Sequence, residues 1–323
     1  MRAIEVNSLT KCFKTLQKDI GIKNSLKSLF KREYRNILAL DDISFSIEEG
    51  EVIGLIGLNG AGKTTLLKCL AGLIYPTKGE IKVLNTNPWN KENDFLKNIG
   101  FIMGQRGQLS LDLSAIDALK IEKEIYEIDD EWFKEELDEL CQLMRVDHLL
   151  KTQLRKVSLG ERMKLEIISV LLHKPELILL DEPTIGLDFI AQDNIRKFLI
   201  QYNNEHNSTM IVTSHNLVDI EKLCSKILLL NNGKLIYDGS LENFKRLYAT
   251  PVGMVQSVPR MKPVLPASAI TFCTSASISS LLPWQMTASR WLDKPPMMAP
   301  WGKRLRPSLR GRSASYTPQL VMS

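Results

Sequence analysis

The sequence predicts an α/β fold built on a largely parallel sheet, and three observations carry that reading. A glycine-rich run, Gly57-Leu58-Asn59-Gly60-Ala61-Gly62-Lys63-Thr64, sits between a short apolar strand pattern and a helix start. Apolar runs such as Leu177-Ile178-Leu179-Leu180 alternate with helical stretches, as strands covered on both faces do. Near residue 230, Asn232-Gly233 separates two strand patterns, a strong hairpin signal.

In chain order, residues 1–13 and 37–58 read as strands around a basic insertion at 14–36. The insertion carries Lys14, Lys18, Lys23, Lys27, Lys31, Arg32 and Arg35, while Ile22, Leu26, Leu29 and Phe30 fall on one helical stripe. Such a helix can pack its stripe on its own domain with a solvated basic face. It can equally lie on an anionic membrane surface or dock to a partner. Glu51 to Ile56 reads as a buried strand and Thr65 to Ala71 as a helix. Residues 110–156 are helical in pattern and rich in charge. Glu176 to Leu180, Thr209 to Thr213, Lys226 to Leu230 and Lys234 to Tyr237 read as strands. From Pro251 the character changes: ten of the fourteen prolines lie there, with no sustained periodicity. Residues 246–323 are expected to form an atypical tail, disordered or non-native.

A chain of 323 residues, 44% hydrophobic and 24% charged, suggests a globular protein of roughly two domains. Cys12, Cys69, Cys141, Cys224 and Cys273 are odd in number and contain no C-x-x-C pair. That suits a reducing cytosol and argues against a disulfide framework or a zinc site. No apolar run approaches the ~18 residues needed to span a bilayer, and the N-terminus does not read as a signal peptide. The net charge of +5 misleads, because nine of the 42 basic residues and one of the 37 acids lie beyond Pro251. Residues 1–250 keep 33 basic and 36 acidic residues, so a nucleic-acid surface is not expected.

The run Gly57–Thr64 fits G-x-x-x-x-G-K-[ST], a loop that cradles phosphates. Its glycines let backbone N–H groups turn toward a β-phosphate, and the following helix start adds partial positive charge. Lys63 is expected to reach the β- and γ-phosphates and Thr64 to ligate Mg²⁺, with Thr65 next in the helix. Leu177-Ile178-Leu179-Leu180-Asp181-Glu182 is a buried strand delivering two acids at its end. Asp181 is expected to hold Mg²⁺, and Glu182 to polarise an attacking water.

Further motifs complete a resemblance. Val157-Ser158-Leu159-Gly160-Glu161-Arg162 resembles the LSGGQ signature of ATP-binding cassette (ABC) ATPases. Leu180 to Asp188 is similar to that family's Walker B and D-loop, Thr213-Ser214-His215-Asn216 to its switch-histidine segment, and Gln105 to its Q-loop glutamine. The five ordered motifs span residues 1 to about 245. The resemblance implies a P-loop NTPase core with an antiparallel β subdomain and an inserted α-helical subdomain at about 106–160. Within it, His215 would donate to the γ-phosphate and Gln105 would touch Mg²⁺ or the water. Ser158, Gly160 and Asp188 would contact nucleotide, the first two on the ATP held by a second ABC chain. The signature departs from consensus at Leu159, in place of the first glycine, and at Glu161, in place of glutamine. Phe13, closing Leu9-Thr10-Lys11-Cys12-Phe13, is the expected adenine-stacking residue, with Tyr34 the alternative.

The wording Gly104-Gln105, Ser158-Leu159-Gly160 and Thr184-Ile185-Gly186-Leu187-Asp188 resembles ATP-binding subunits paired with ABC-2 type export permeases. The implied function is an ATP-hydrolysing subunit, peripheral on the cytoplasmic face, that drives a separate membrane permease. An importer ATPase and a non-transport ABC ATPase are the alternatives. Against the latter, Lys63 and Ser158 lie only 95 positions apart with no heptads between them, and the chain holds one cassette. The stretch Leu109 to Lys120 is the expected groove for a permease helix.

Overall fold

The computed structural model describes residues 1–16, 34–103 and 107–248. Strand β1 (Arg2–Leu16) runs antiparallel to β2 (Tyr34–Glu48) and, on its other edge, to β4 (Lys78–Val83). The register sets Leu9 opposite Ile43, Phe13 opposite Ile37 and Leu16 opposite Tyr34. The outer parts of the basic insertion, Lys14 to Leu16 and Tyr34 to Asn36, therefore continue this hairpin as paired strand. The helical stripe of Ile22, Leu26, Leu29 and Phe30 lies outside the described residues, as do Gln105 and residues 249–323.

The second sheet has the order β5-β6-β7-β3-β8-β9. Strands β5 (Ile99–Met103), β6 (Leu177–Asp181), β7 (Thr209–Thr213), β3 (Val52–Gly57) and β8 (Lys226–Asn231) are parallel. The edge strand β9 (Lys234–Ser240) turns back antiparallel through Asn232 and Gly233, both with positive φ as a tight primed turn requires. Strands β4 and β5 were not among the sequence expectations; the others were, to within a few residues at their ends.

Side-chain alternation splits the core across this sheet. Ile53, Leu55, Leu177, Leu179, Ile211, Leu228 and Leu230 face the small antiparallel sheet and helix α1 (Lys63–Leu70). Their neighbours Ile56, Ile178, Leu180, Met210, Val212 and Ile227 face the opposite side. That side is covered by α3 (Ala115–Ile125), α4 (Asp130–Met144), α5 (Leu159–Leu171) and α6 (Phe189–His206). Period-two alternation thus buries both faces of every parallel strand, and so they read as unbroken apolar runs.

The short helices α2 (Asn93–Lys97), α7 (Leu217–Leu223) and α8 (Leu241–Tyr248) fill the edges, α8 continuing three residues past position 245. Helix starts follow local chemistry. Ser114 caps α3 and Asp129 caps α4, each side-chain oxygen accepting backbone N–H bonds from the first turn. The architecture brings the C-terminal ends of β3, β6 and β7 to one rim, where parallel sheets place ligands.

Candidate functional site

The glycine loop leaves the end of β3 and enters α1 directly. Gly62, at the N-cap, has φ +109, and a Cβ there would sit 2.6 Å from the Ala39 carbonyl oxygen. Only glycine can take that backbone at that distance. No side chain caps α1, so its first-turn N–H groups are left for an incoming acceptor. Gly60 (φ +80) has open space above it, and Leu58 and Asn59 are exposed beside it. Ala61 is buried and receives the Gly233 N–H on its carbonyl, which ties the loop to the β8–β9 turn.

Lys63 is 6% exposed, and its ammonium donates to the carbonyls of Gly57 (2.8 Å) and Leu58 (3.3 Å). Burial pushes its pKa down, against the opposing pull of the Glu182 and Asp181 carboxylates. The Thr64 hydroxyl donates to Asp181 Oδ2 at 2.7 Å, and the Thr213 hydroxyl to Asp181 Oδ1 at 2.7 Å. Asp181, at the end of β6, therefore joins the loop helix to β7. Thr65 follows in α1, half-buried.

Glu182 has φ +57, an unusual backbone for a side-chain-bearing residue. Thr213 holds it there: the Glu182 N–H donates to the Thr213 hydroxyl (2.9 Å) and lies 3.1 Å from its carbonyl. The carboxylate is aimed along the rim. Oε1 lies 2.6 Å from His215 Nε2, which must carry the proton because the carboxylate has none to give. Among the described residues Oε2, which is buried, has no hydrogen-bond partner. A buried carboxylate oxygen without a donor is costly unless its task is to accept one.

Among the described residues, the other expected site residues make no hydrogen bond to this cluster. Ser158 caps α5 in a capping box with Glu161: the Ser158 N–H and hydroxyl both donate to Glu161 Oε2 at 2.9 and 2.8 Å. Gly160 packs so that a Cβ would lie 3.1 Å from that of Ala191, and Leu159 is 43% exposed with its tip 3.4 Å from a Cβ placed on Gly186. Asp188 caps α6 by accepting the Ala191 N–H at 2.9 Å. Among the described residues, none of Ser158, Gly160 and Asp188 bonds to the glycine loop. Phe13 is half-buried in β1, with the Lys11 ammonium 5.0 Å from its ring centroid. Its partner Ile37 is two residues from Ala39, which touches Gly62; Tyr34 is three residues farther along β2 and 56% exposed.

Within Leu109 to Lys120, the stretch expected to receive a permease helix, Leu111 is 40% exposed and Asp117 and Lys120 face outward. Leu109, Ala115, Ala118 and Leu119 are buried in the core because the apolar stripe of α3 faces inward. A groove of about 470 Å³ forms beside the far end of α3, lined by Leu73, Leu96, Phe101, Gln108, Ile125 and Tyr126 among others. Leu73 and Ile125 are each at least 60% exposed there.

Sequence reasoning did not single out Thr213, the bond donor to Asp181, nor a fully buried pair behind the rim, Arg196 and Asp219. A signal existed for the pair. Arg196 interrupts the apolar stripe Ile195, Phe198, Leu199 and Tyr202 of α6, and a charge on a core stripe needs a partner.

A family model described as ABC transporter matches residues 40–185. The chain is 34% identical over 213 residues to the bacitracin transport ATP-binding protein BcrA of Bacillus licheniformis, spanning 66% of this chain and 68% of that protein. It is 31% identical over 214 residues to the ABC transporter ATP-binding protein NatA of Bacillus subtilis, 66% of this chain and 87% of that one. The methionine import ATP-binding protein MetN of Clostridium tetani is 29% identical over 250 residues, 75% of this chain and 78% of that one. A solved ATP-binding subunit of an ABC transporter superposes with a TM-score of 0.63 at 23% identity, covering 76% of this chain and 93% of that one. A dimeric ATP-binding cassette bound to ADP and Pi gives 0.61 at 23% identity over 74% of this chain and 98% of that one. At such identity these two structures show the fold.

Proposed function

Because the chain belongs to the ABC transporter ATP-binding family, and is an ATP-binding, ATP-hydrolysing subunit of such a transporter, we propose that the rim of β3, β6 and β7 is its hydrolytic site and that it powers export through a separate permease. The observation that carries the site is the chain of contacts Thr64–Asp181–Thr213–Glu182–His215, which links the phosphate loop to a carboxylate with one free oxygen.

Each residue has a task that its position allows. The N–H groups of Gly60 to Thr65 and the Lys63 ammonium hold the β- and γ-phosphates. Lys63 would exchange the carbonyls of Gly57 and Leu58 for them. Glu182 Oε2 accepts a proton from water attacking the γ-phosphate, while His215 keeps the carboxylate turned toward it. The donor set fits a hard divalent cation, since Thr64 and Asp181 offer two hard oxygens 2.7 Å apart at the start of α1. Mg²⁺ held there would neutralise phosphate charge. By resemblance Gln105 joins it. Phe13 stacks on adenine, its ladder position two residues from the loop contact being nearer than that of Tyr34.

Ser158 and Gly160 make no hydrogen bond to this loop, and by resemblance they serve the ATP of a second cassette; Asp188 caps the neighbouring helix α6. We take two chains, alike or different, to close over two nucleotides. Export is favoured by the motif wording and by the relatives BcrA and NatA, although an importer subunit, MetN, also matches. On this reading residues 1–245 are the ATPase domain, 106–160 its helical part, and the groove at Leu73, Leu96 and Ile125 receives the permease. Among the described residues no helix is long and apolar enough to cross a membrane. The protein would then sit on the cytoplasmic face through that partner.

Two variants test the site. Lys63→Ala should lose tight ATP binding in a fluorescence titration. Glu182→Gln should bind ATP but hydrolyse it at least about 100-fold more slowly, the scale of losing a general base. Light scattering on Glu182→Gln with ATP should show a dimer. Normal turnover by Glu182→Gln would remove Glu182 from the mechanism. Crosslinked recovery of a multi-span protein from native membranes tests the permease. Cargo uptake into inverted vesicles on adding ATP tests the direction.

A further inference from the structure

Behind the catalytic rim, one carboxylate gathers three elements. Asp219, in the first turn of α7, is 1% exposed and accepts three bonds. Its Oδ2 takes the Thr184 hydroxyl at 2.5 Å and the Ser214 hydroxyl at 2.7 Å. Its Oδ1 takes Arg196 Nη1 at 2.6 Å, from a guanidinium that is itself 1% exposed. Thr184 begins the segment 184–188 that follows Glu182, and Ser214 immediately precedes His215. A second link runs parallel to the first. Gln192 donates to the carbonyls of Thr184 (3.3 Å) and Leu187 (3.0 Å) and accepts from Asn216 (3.3 Å).

We propose that Asp219, held by Arg196, is a positioning residue that staples the 184–188 loop to the His215 loop, so that the two move as one. The ion pair alone would occupy only one oxygen. The other oxygen bridges hydroxyls from two separate loops, one on either side of the Glu182–His215 contact. An ionised carboxylate accepts on both oxygens, whereas an amide would present a donor either to Arg196 or to the two hydroxyls. A shift of His215 as it meets the γ-phosphate therefore pulls on Ser214, on Asp219 and, through Thr184, on the loop that ends at Asp188. That loop borders Leu159 of the signature segment, near Gly186. The staple thus connects hydrolysis in one site to the edge that serves the other, and it rests on the reading of the rim given above.

The test spares the buried ion pair. In the full chain, Thr184→Val and Ser214→Ala each remove one hydroxyl and leave Asp219 with Arg196 and the other donor. Each should lower kcat for ATP at least about fivefold with KM within about twofold. The double variant should be no slower than the worse single one, because cutting either leg opens the same staple. Thr184→Ser, which restores the hydroxyl, should recover kcat, and melting temperatures should stay close to that of the parent. Unchanged kcat, losses that multiply in the double variant, or a Thr184→Ser as slow as Thr184→Val would overturn the staple. Glu182→Gln, assayed alongside, separates the two failures. If it is inactive while Thr184→Val is normal, only the staple falls; if it is fully active, the reading of the site falls first.

Discussion

Glu161 shows how one substitution can be compensated locally. It stands where the resembled signature has glutamine, and its carboxylate takes both donors of Ser158. Those donors, the backbone N–H foremost, hold its pKa below the usual glutamate range. A carboxyl whose pKa is depressed by folding stabilises the native state above its unfolded pKa, and that contribution is lost as pH falls through the folded value. The melting-temperature advantage of the parent over Glu161→Ala should therefore be present at neutral pH and shrink below about pH 4. Ser158→Ala should cost about 1 kcal/mol in denaturant unfolding, the worth of an N-cap. At this scale the sequence was most legible where function fixes both residue type and spacing. Lys63, Thr64, Asp181, Glu182 and His215 were named in advance, and the fold brings them to one rim. Asp219 was not, because its partners Thr184, Arg196 and Ser214 are distant or differently paired in sequence, and no local pattern announces a three-way acceptor.

The elements were legible where packing demands an unbroken apolar run and hidden where it demands something else. Strand β6 announced itself. Strand β5 did not, because Gly100 interrupts it. The fold needs that glycine, since a Cβ there would strike Val170 of α5 and lie 3.2 Å from Pro175. Strand β4, Lys-Gly-Glu-Ile-Lys-Val, buries only Ile81 and Val83 and so resembles a polar turn. The hairpin of β1 and β2 makes a sharper prediction. Phe13→Ala should weaken ATP binding by about 1–3 kcal/mol, the scale of a lost base–aromatic stack. Tyr34→Ala, farther along the same ladder, should leave it unchanged in the same titration. Equal losses from both would mean that the hairpin acts as a whole and the ring stack does not.

Across the whole molecule, every residue placed in the site lies at or before position 219, apart from the turn at Gly233 that braces the glycine loop. A chain ending at Tyr248 should accordingly hydrolyse ATP within about twofold of the full chain, because no residue placed in the site lies beyond it. One ending before Thr209 should not bind nucleotide at all. The reason lies in the sheet order. Strand β3, which carries the glycine loop, is flanked by β7 and β8, and both come from residues 209–231. Pairings this distant in sequence are slow to close. At about 5–20 residues per second of synthesis, the loop waits roughly 9–35 seconds on the ribosome before its strand acquires neighbours. A nascent chain therefore cannot hold a triphosphate until β7 and β8 emerge, which makes nucleotide capture a signal that the parallel sheet has closed around the glycine loop.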